Sequence, residues 1–150
     1  MRSFLLATTC SLALAGAAQA ETSVSTKQTS PIRTGTIANG AADDIKITSA
    51  GSVELTTGGA AVTINTNHKV TNEGTIQVSN ANNAAGIFAL AGTSGSIVSS
   101  GKIIVDETYT PTDGDNDGDL DGPFAVGTDR FGITTAGAFT GNITVTSTGT

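Results

Sequence analysis

Apolar and polar positions alternate along most of this chain in short runs, and one nine-residue phrase recurs. It sets an apolar residue four positions before a glycine, then apolar residues two and four positions after it. Full copies run from Ile47 to Leu55 around Gly51, from Val70 to Val78 around Gly74, and from Ile97 to Val105 around Gly101. A further copy opens at Val145 with Gly149, and Gly35-Thr36-Ile37 resembles a partial forerunner. The first three glycines stand 23 and then 27 residues apart, and Gly149 follows 48 residues later, about two periods with an insertion between.

Alternation of period two predicts strands with one apolar side. A repeat in the twenties predicts a β-solenoid, because such a strand cannot bury its apolar side unless equivalent strands stack on it. Ile47, Val70, Ile97 and Val145 are expected to form one interior row, and Val53, Ile76 and Ile103 a second. The glycine is expected to supply backbone angles that a β-carbon disfavours. Short strands at residues 61–65, 86–90 and 131–134 would form a further face of each coil. An antiparallel sandwich also explains the alternation, but not the constant phrase around glycine. No long apolar stripe of helical period follows residue 20, where Thr, Ser, Gly and Asn dominate.

Residues 1–20 change the picture only at the start. Arg2, the apolar stretch from Phe4 to Ala18 and the small-x-small Ala18-Gln19-Ala20 read as a secretory signal peptide, with Glu21 the expected first residue of the exported chain. The stretch is short for a membrane span, which needs about 20 apolar residues, and polar sequence follows it. Cys10 raises a lipoprotein alternative, but Ala7-Thr8-Thr9 lacks the usual Leu before it. The expected exported part, residues 21–150, carries no cysteine, hence no disulfide. It is long enough for one domain with a continuous core. Trp is absent and aromatics make up 4% of the sequence, so that core must be thin and built from Val, Ile, Leu and Ala. Without Arg2 there are six basic against thirteen acidic residues. That balance argues against nucleic acid and anionic lipid as partners, and for a cation.

Val70-Thr71-Asn72-Glu73-Gly74-Thr75-Ile76 and Ser99-Ser100-Gly101-Lys102-Ile103 resemble the N-x-G-x-I coils of bacterial autotransporter passenger domains, as does a leader followed directly by Thr/Ser/Asn/Gly-rich repeats. The resemblance covers nearly all of residues 21–150. It implies a right-handed parallel β-helix, exported through the inner membrane and displayed on the surface of a Gram-negative cell, with an outer-membrane β-barrel translocator as partner. Host surface, glycan or a further copy of the chain are the other partners it suggests. The chain departs from the family in lacking amphipathic barrel strands, which implies either the N-terminal piece of a longer protein or a truncated gene product; the break inside a repeat favours the piece.

One segment, residues 111–123, interrupts the repeat. Eight of the thirteen acidic residues lie between Asp106 and Asp129. Asp113, Asp115, Asp117 and Asp121 match D-x-D-x-D-G-x-x-D with Gly118 at the turn, and Asp119 lies among them. Two carboxylates about 5 Å apart repel by about 3 kcal/mol at an effective dielectric of 20, and a hard divalent cation relieves that repulsion. The loop resembles calcium loops of the dockerin and thrombospondin type 3 kind, which makes calcium the expected cofactor. Phe124 stands where an EF-hand has its bidentate Glu, and Pro111 and Pro123 bracket the loop in place of helices. A solvated acidic turn that guards a sheet edge is the alternative.

No catalytic set emerges. His68, the single histidine, is expected at an exposed coil corner; one His and no exported Cys cannot make a zinc site. Adjacent Asp106 and Glu107 would point to opposite faces of a strand, unlike a glycosidase pair. Arg33 and Arg130 are too isolated for a basic substrate groove, and the glycine pairs do not lead into helices. The sequence therefore points to a non-enzymatic, adhesin-like solenoid segment. The alternatives are an exported calcium-binding module and the non-catalytic start of a polysaccharide-acting β-helix enzyme.

Overall fold

A computed structural model of the chain describes residues 21–122 and 125–146; the expected signal peptide and Gly149 lie outside them. Strands come in threes. The first triplet is β1 (Thr22–Val24), β2 (Lys27–Gln28) and β3 (Ile32–Arg33); the second is β4 (Ile45–Ile47), β5 (Ser52–Leu55) and β6 (Gly59–Ile64). The third is β7 (Val70–Asn72), β8 (Thr75–Ser79) and β9 (Ala84–Ala89), the fourth β10 (Ile97–Ser99), β11 (Lys102–Asp106) and β12 (Arg130–Thr135), and β13 (Ile143–Val145) begins another. Corresponding strands stack into three sheets, ordered β1-β4-β7-β10-β13 (sheet A), β2-β5-β8-β11 (sheet B) and β3-β6-β9-β12 (sheet C). Every pairing between these strands is parallel. The protein is an all-β solenoid, and no helix among the described residues is long and apolar enough to cross a membrane.

The three sheets wall in the thin aliphatic core that the composition demands. Val53, Ile76 and Ile103 pair in register as expected. Val62, Ile87 and Ile133 form the equivalent row on sheet C. Ile45, Ile47, Ile64, Ile76, Ile87 and Ile97 are fully buried, each worth roughly 1.5–3 kcal/mol of transfer free energy.

The other expected row requires correction. Val70 and Ile97 pair with Ile45 and Ile143, not with Ile47 and Val145. Ile47 and Val145 belong to the neighbouring row, which runs Val24, Ile47, Asn72, Ser99, Val145. The cause is a corner of variable length. Four residues, 48–51, join β4 to β5, whereas two residues join β7 to β8 and β10 to β11. Counting back from the glycine therefore misplaces β4 by two, an even slip that keeps apolar side chains inward.

The role of the phrase glycines also differs from expectation. Gly51, Gly74 and Gly101 do not take positive φ; among the described glycines that property belongs to Gly40, Gly59, Gly92 and Gly118. What the phrase glycines permit is close stacking. A β-carbon on Gly74 would lie 2.2 Å from the Gly51 carbonyl oxygen, and one on Gly101 the same distance from that of Gly74. A second such column joins Gly141 to Gly95, at 1.9 Å.

Candidate functional site: the acidic excursion and a corner groove

The largest departure from the regular coil lies between β11 and β12, where residues 107–129 leave the corner of sheets B and C. In the coil below, residues 80–83 alone turn the same corner. The tip of the excursion is organised by side chains reaching back to the backbone. Asp113 Oδ2 accepts the Gly118 N–H at 3.1 Å, Asp115 Oδ1 that of Asp117 at 3.3 Å, and Asp117 Oδ1 that of Asp119 at 3.1 Å. Asn116 and Gly118 turn the chain through left-handed angles, φ 61° and 98°, as Asn and Gly do at low steric cost.

The result brings carboxylate oxygens of Asp113, Asp115 and Asp117 within 4.8 Å of one another. Oδ1 of Asp113 is shielded from solvent and has no hydrogen-bond partner. Asp121 instead closes the loop: its Oδ2 accepts the Gly114 N–H at 2.6 Å, and its own N–H donates to the Thr112 carbonyl at 2.9 Å. Asp119 does not join the converging group. Three of the five expected ligands thus share one locus, with the oxygen donors that a hard divalent cation takes. Phe124, the residue at the twelfth position of the loop, lies outside the described residues.

The base of the excursion holds what the sequence did not reveal. Arg130 Nη1 lies 2.9 Å from Glu107 Oε2, and both side chains are mostly covered, at 16% and 11% exposure. Arg130 Nε donates to the Ala81 carbonyl at 2.8 Å, tying the excursion to the coil below. Glu107 Oε1 accepts the N–H groups of Val126 and Gly127. Burial raises the Glu107 carboxyl, but those two N–H groups and Arg130 outweigh it and hold the group below its ordinary value. Asp106 points elsewhere, accepting from Gln77 at 3.2 Å, so the two adjacent acids do not converge.

A second feature is a polar groove of about 760 Å³ along the corner of sheets C and A, bordered by Asp44, Asn67, His68, Ser94 and Asn142. His68 is not the exposed corner residue expected. Its side chain is 20% exposed, with Nδ1 2.9 Å from Asp44 Oδ1. Burial raises the Asp44 carboxyl, but the Lys69 N–H at 2.8 Å and His68 outweigh it and lower the group below its ordinary value. Among the described residues no hydroxyl hydrogen-bonds the imidazole; Lys69 and the hydroxyls and amides of Thr66, Asn67, Ser94, Ser96, Thr140 and Asn142 complete the lining.

A simple signal would have found several of these contacts. Asp44 and His68 are 24 residues apart, and Lys27 and Glu54 are 27 apart, as are Asn72 and Ser99. One coil period separates vertical neighbours, so complementary residues at that spacing meet. Compared with known proteins, the chain matches no family model, no curated protein and no solved structure.

Proposed function

We propose that this chain is a segment of an exported, surface-directed β-solenoid of the autotransporter passenger kind, with a structural and adhesive role and no catalysis of its own. The observation that carries the reading is the division of each coil between an aliphatic inside and a polar outside. Ser52, Thr75 and Lys102 stand in register on sheet B, and Lys46 and Thr71 on sheet A. A stacked polar face of this kind binds through shape and hydrogen bonds spread over several coils, as solenoid surfaces do. The chain's acidity directs such binding away from nucleic acid.

The test has two arms. Expressed with residues 1–20 in a Gram-negative cell, the chain should reach the periplasm and begin at Glu21; retention in the cytoplasm contradicts export. Displayed on a cell through a β-barrel translocator, residues 21–150 should increase adhesion to a glycan-coated or cell-covered surface. Equal adhesion by cells displaying the barrel alone contradicts the adhesive role.

A second reading, an exported calcium-binding module, is favoured by the convergence of Asp113, Asp115 and Asp117. Extracellular calcium modules bind at roughly 10⁻⁴ to 10⁻³ M. Calorimetric titration with calcium at several millimolar tests it, and an absence of heat removes it.

A further inference from the structure

Phe88 and Phe131 turn away from the aliphatic core, on the outer side of sheet C. Aromatic residues make up only 4% of the sequence, and one of them, Phe139, packs against the core. Phe131 is instead 48% exposed. It stands in register with Ala85 and Ala60, while Phe88 stands in register with Thr63 and Thr134. Two coils thus offer a methyl where the third offers a ring, and the step leaves an apolar slot of about 350 Å³ between the two phenylalanines. That is the small end of the range for ligand sites, roughly 300–1,000 Å³. The strand carrying Ala85 and Phe88 is β9, which is flanked by β6 and β12, so the slot has a described strand on each side.

Polar groups border the same slot. Asn83 and Asp129 line it just before β9 and β12 begin, and Thr134 lines it further along β12. Asn83 and Asp129 hold left-handed angles, φ 50° and 54°. Their carbonyls accept the N–H groups of Gly59 and Ala84 at 2.8 and 2.9 Å, so the backbone fixes both residues. The polar side chains next to them are engaged: Asn82 accepts from Arg130 at 3.4 Å, and Arg130 is held by Glu107. Among the described residues the side chains of Asn83 and Asp129 have no such partner. Asp129 is the one formal charge among the described lining residues. Arg33, in the column of Phe88, is two strands removed, about 10 Å at Cα.

A ligand that fits has an apolar face one ring wide, hydrogen-bonding groups at its edge, and no negative charge, which Asp129 would repel. A pyranose meets all three conditions. Its polarised C–H groups suit the negative faces of aromatic rings, and its hydroxyls suit a carboxylate, an amide and a threonine hydroxyl. An extended peptide would need unpaired strand backbone, and β9 is paired on both sides. We propose that the slot binds one pyranose ring of a neutral saccharide, its C–H face against Phe88 and Phe131 and its hydroxyls on Asp129, Asn83 and Thr134. The proposal rests on the adhesive reading above, to which it adds the ligand class and the place.

Two-dimensional amide NMR spectra of the exported chain, titrated in turn with cellobiose, lactose and diacetylchitobiose, test this. With at least one of them the shifts should centre on Ala85, Phe88 and Phe131, at the weak affinity of a small, open site. Phe131→Ala, which removes an outward ring, should weaken that binding about tenfold with circular dichroism unchanged. Phe131→Tyr should retain it. Asp129→Asn, which tolerates the left-handed angle, should weaken it too, and digalacturonate should bind less well than the neutral sugars. No shifts with any of the three sugars, shifts centred elsewhere, or a Phe131→Ala variant that binds like the parent overturns the proposal. So does a slot that takes indole, standing in for an aromatic side chain, and no sugar. Adhesion by the displayed chain undiminished by Phe131→Ala keeps the adhesive reading and overturns the proposal. Sugar binding in the slot without adhesion supports the proposal and removes that reading.

Discussion

The side-chain amide of Asn72 donates to the hydroxyl of Ser99, 3.1 Å away in the next coil, in a row that is otherwise aliphatic: Val24, Ile47 and Val145. Asn72 also donates to the Lys102 carbonyl at 3.2 Å, is fully buried, and leaves its Oδ1 without a partner. A buried unpaired acceptor opposes stability, which offsets much of what the two donated bonds contribute. Replacing Asn72 by Val together with Ser99 by Ala should therefore change unfolding free energy by no more than about 1 kcal/mol. Asn72→Asp, which buries a charge at the same place, should cost about 3–5 kcal/mol. Urea unfolding of the two variants checks both values.

The glycine columns make a second prediction. Gly74→Ala drives a β-carbon to 2.2 Å from the Gly51 carbonyl oxygen, so neighbouring coils must move apart. The expected loss is about 2 kcal/mol or more. At Gly132 the nearest heavy atom is 3.8 Å from the added carbon, and Ala there should be neutral within about 0.5 kcal/mol. Thermal unfolding of both variants separates close stacking from a general intolerance of substitution.

Acid should loosen the corners before the core. Asp44, Glu54 and Glu107 all titrate below their ordinary values in the folded chain. For Glu54 the Lys27 ammonium is the main cause, followed by the Ser52 hydroxyl. A carboxyl lowered on folding contributes stability that is complete above its unfolded value, about 3.9 for Asp and 4.3 for Glu. That contribution is lost as pH falls through the lower folded values. The urea midpoint should thus hold between pH 7 and 5 and drop below about pH 4. Glu107→Gln should have a lower midpoint at pH 7 and a shallower fall. A variant with the parent's pH profile contradicts the assignment of the Glu107–Arg130 clasp.

Calcium, on the reading that the converging carboxylates hold it, should distinguish the acids of the excursion. Asp115→Asn with Asp117→Asn should abolish calcium protection of the loop from proteolysis. Asp119→Asn should leave it intact, because that residue stands outside the cluster. Asp121→Asn should weaken the loop with or without calcium, since Asp121 closes it on Gly114. Limited proteolysis with and without calcium at several millimolar provides the comparison.

The solenoid was legible because its two signals are local: alternation within each strand, and a glycine phrase recurring once per coil. Val53, Ile76 and Ile103 fell into register because each sits two residues after its glycine, on the same side of the corner. Ile47 did not, because the two additional residues between β4 and β5 leave the phrase unchanged while shifting what precedes it. The acidic loop was legible as a pattern of Asp and Gly, but only folding separates the converging Asp113, Asp115 and Asp117 from Asp121, which braces the loop. The Glu107–Arg130 clasp was hidden because its partners lie on opposite sides of the excursion, with nothing in the intervening sequence to pair them. Asp44 and His68 were readable in principle, one coil period apart, once that period is applied to polar residues as well as apolar ones.

Disulfide trapping tests the stacked-coil register most directly. With Cys10 replaced by Ser, cysteines introduced at Lys46 and Thr71, which pair on the outside of sheet A, should lie about 4.8 Å apart at Cα, within the range a disulfide spans. That pair should oxidise readily within one chain, as should Thr71 with Val98, while Thr48 with Thr71 should not. Efficient trapping of Thr48 with Thr71 and none of Lys46 with Thr71 would contradict the register, and failure of both in-register pairs would contradict the parallel stack itself.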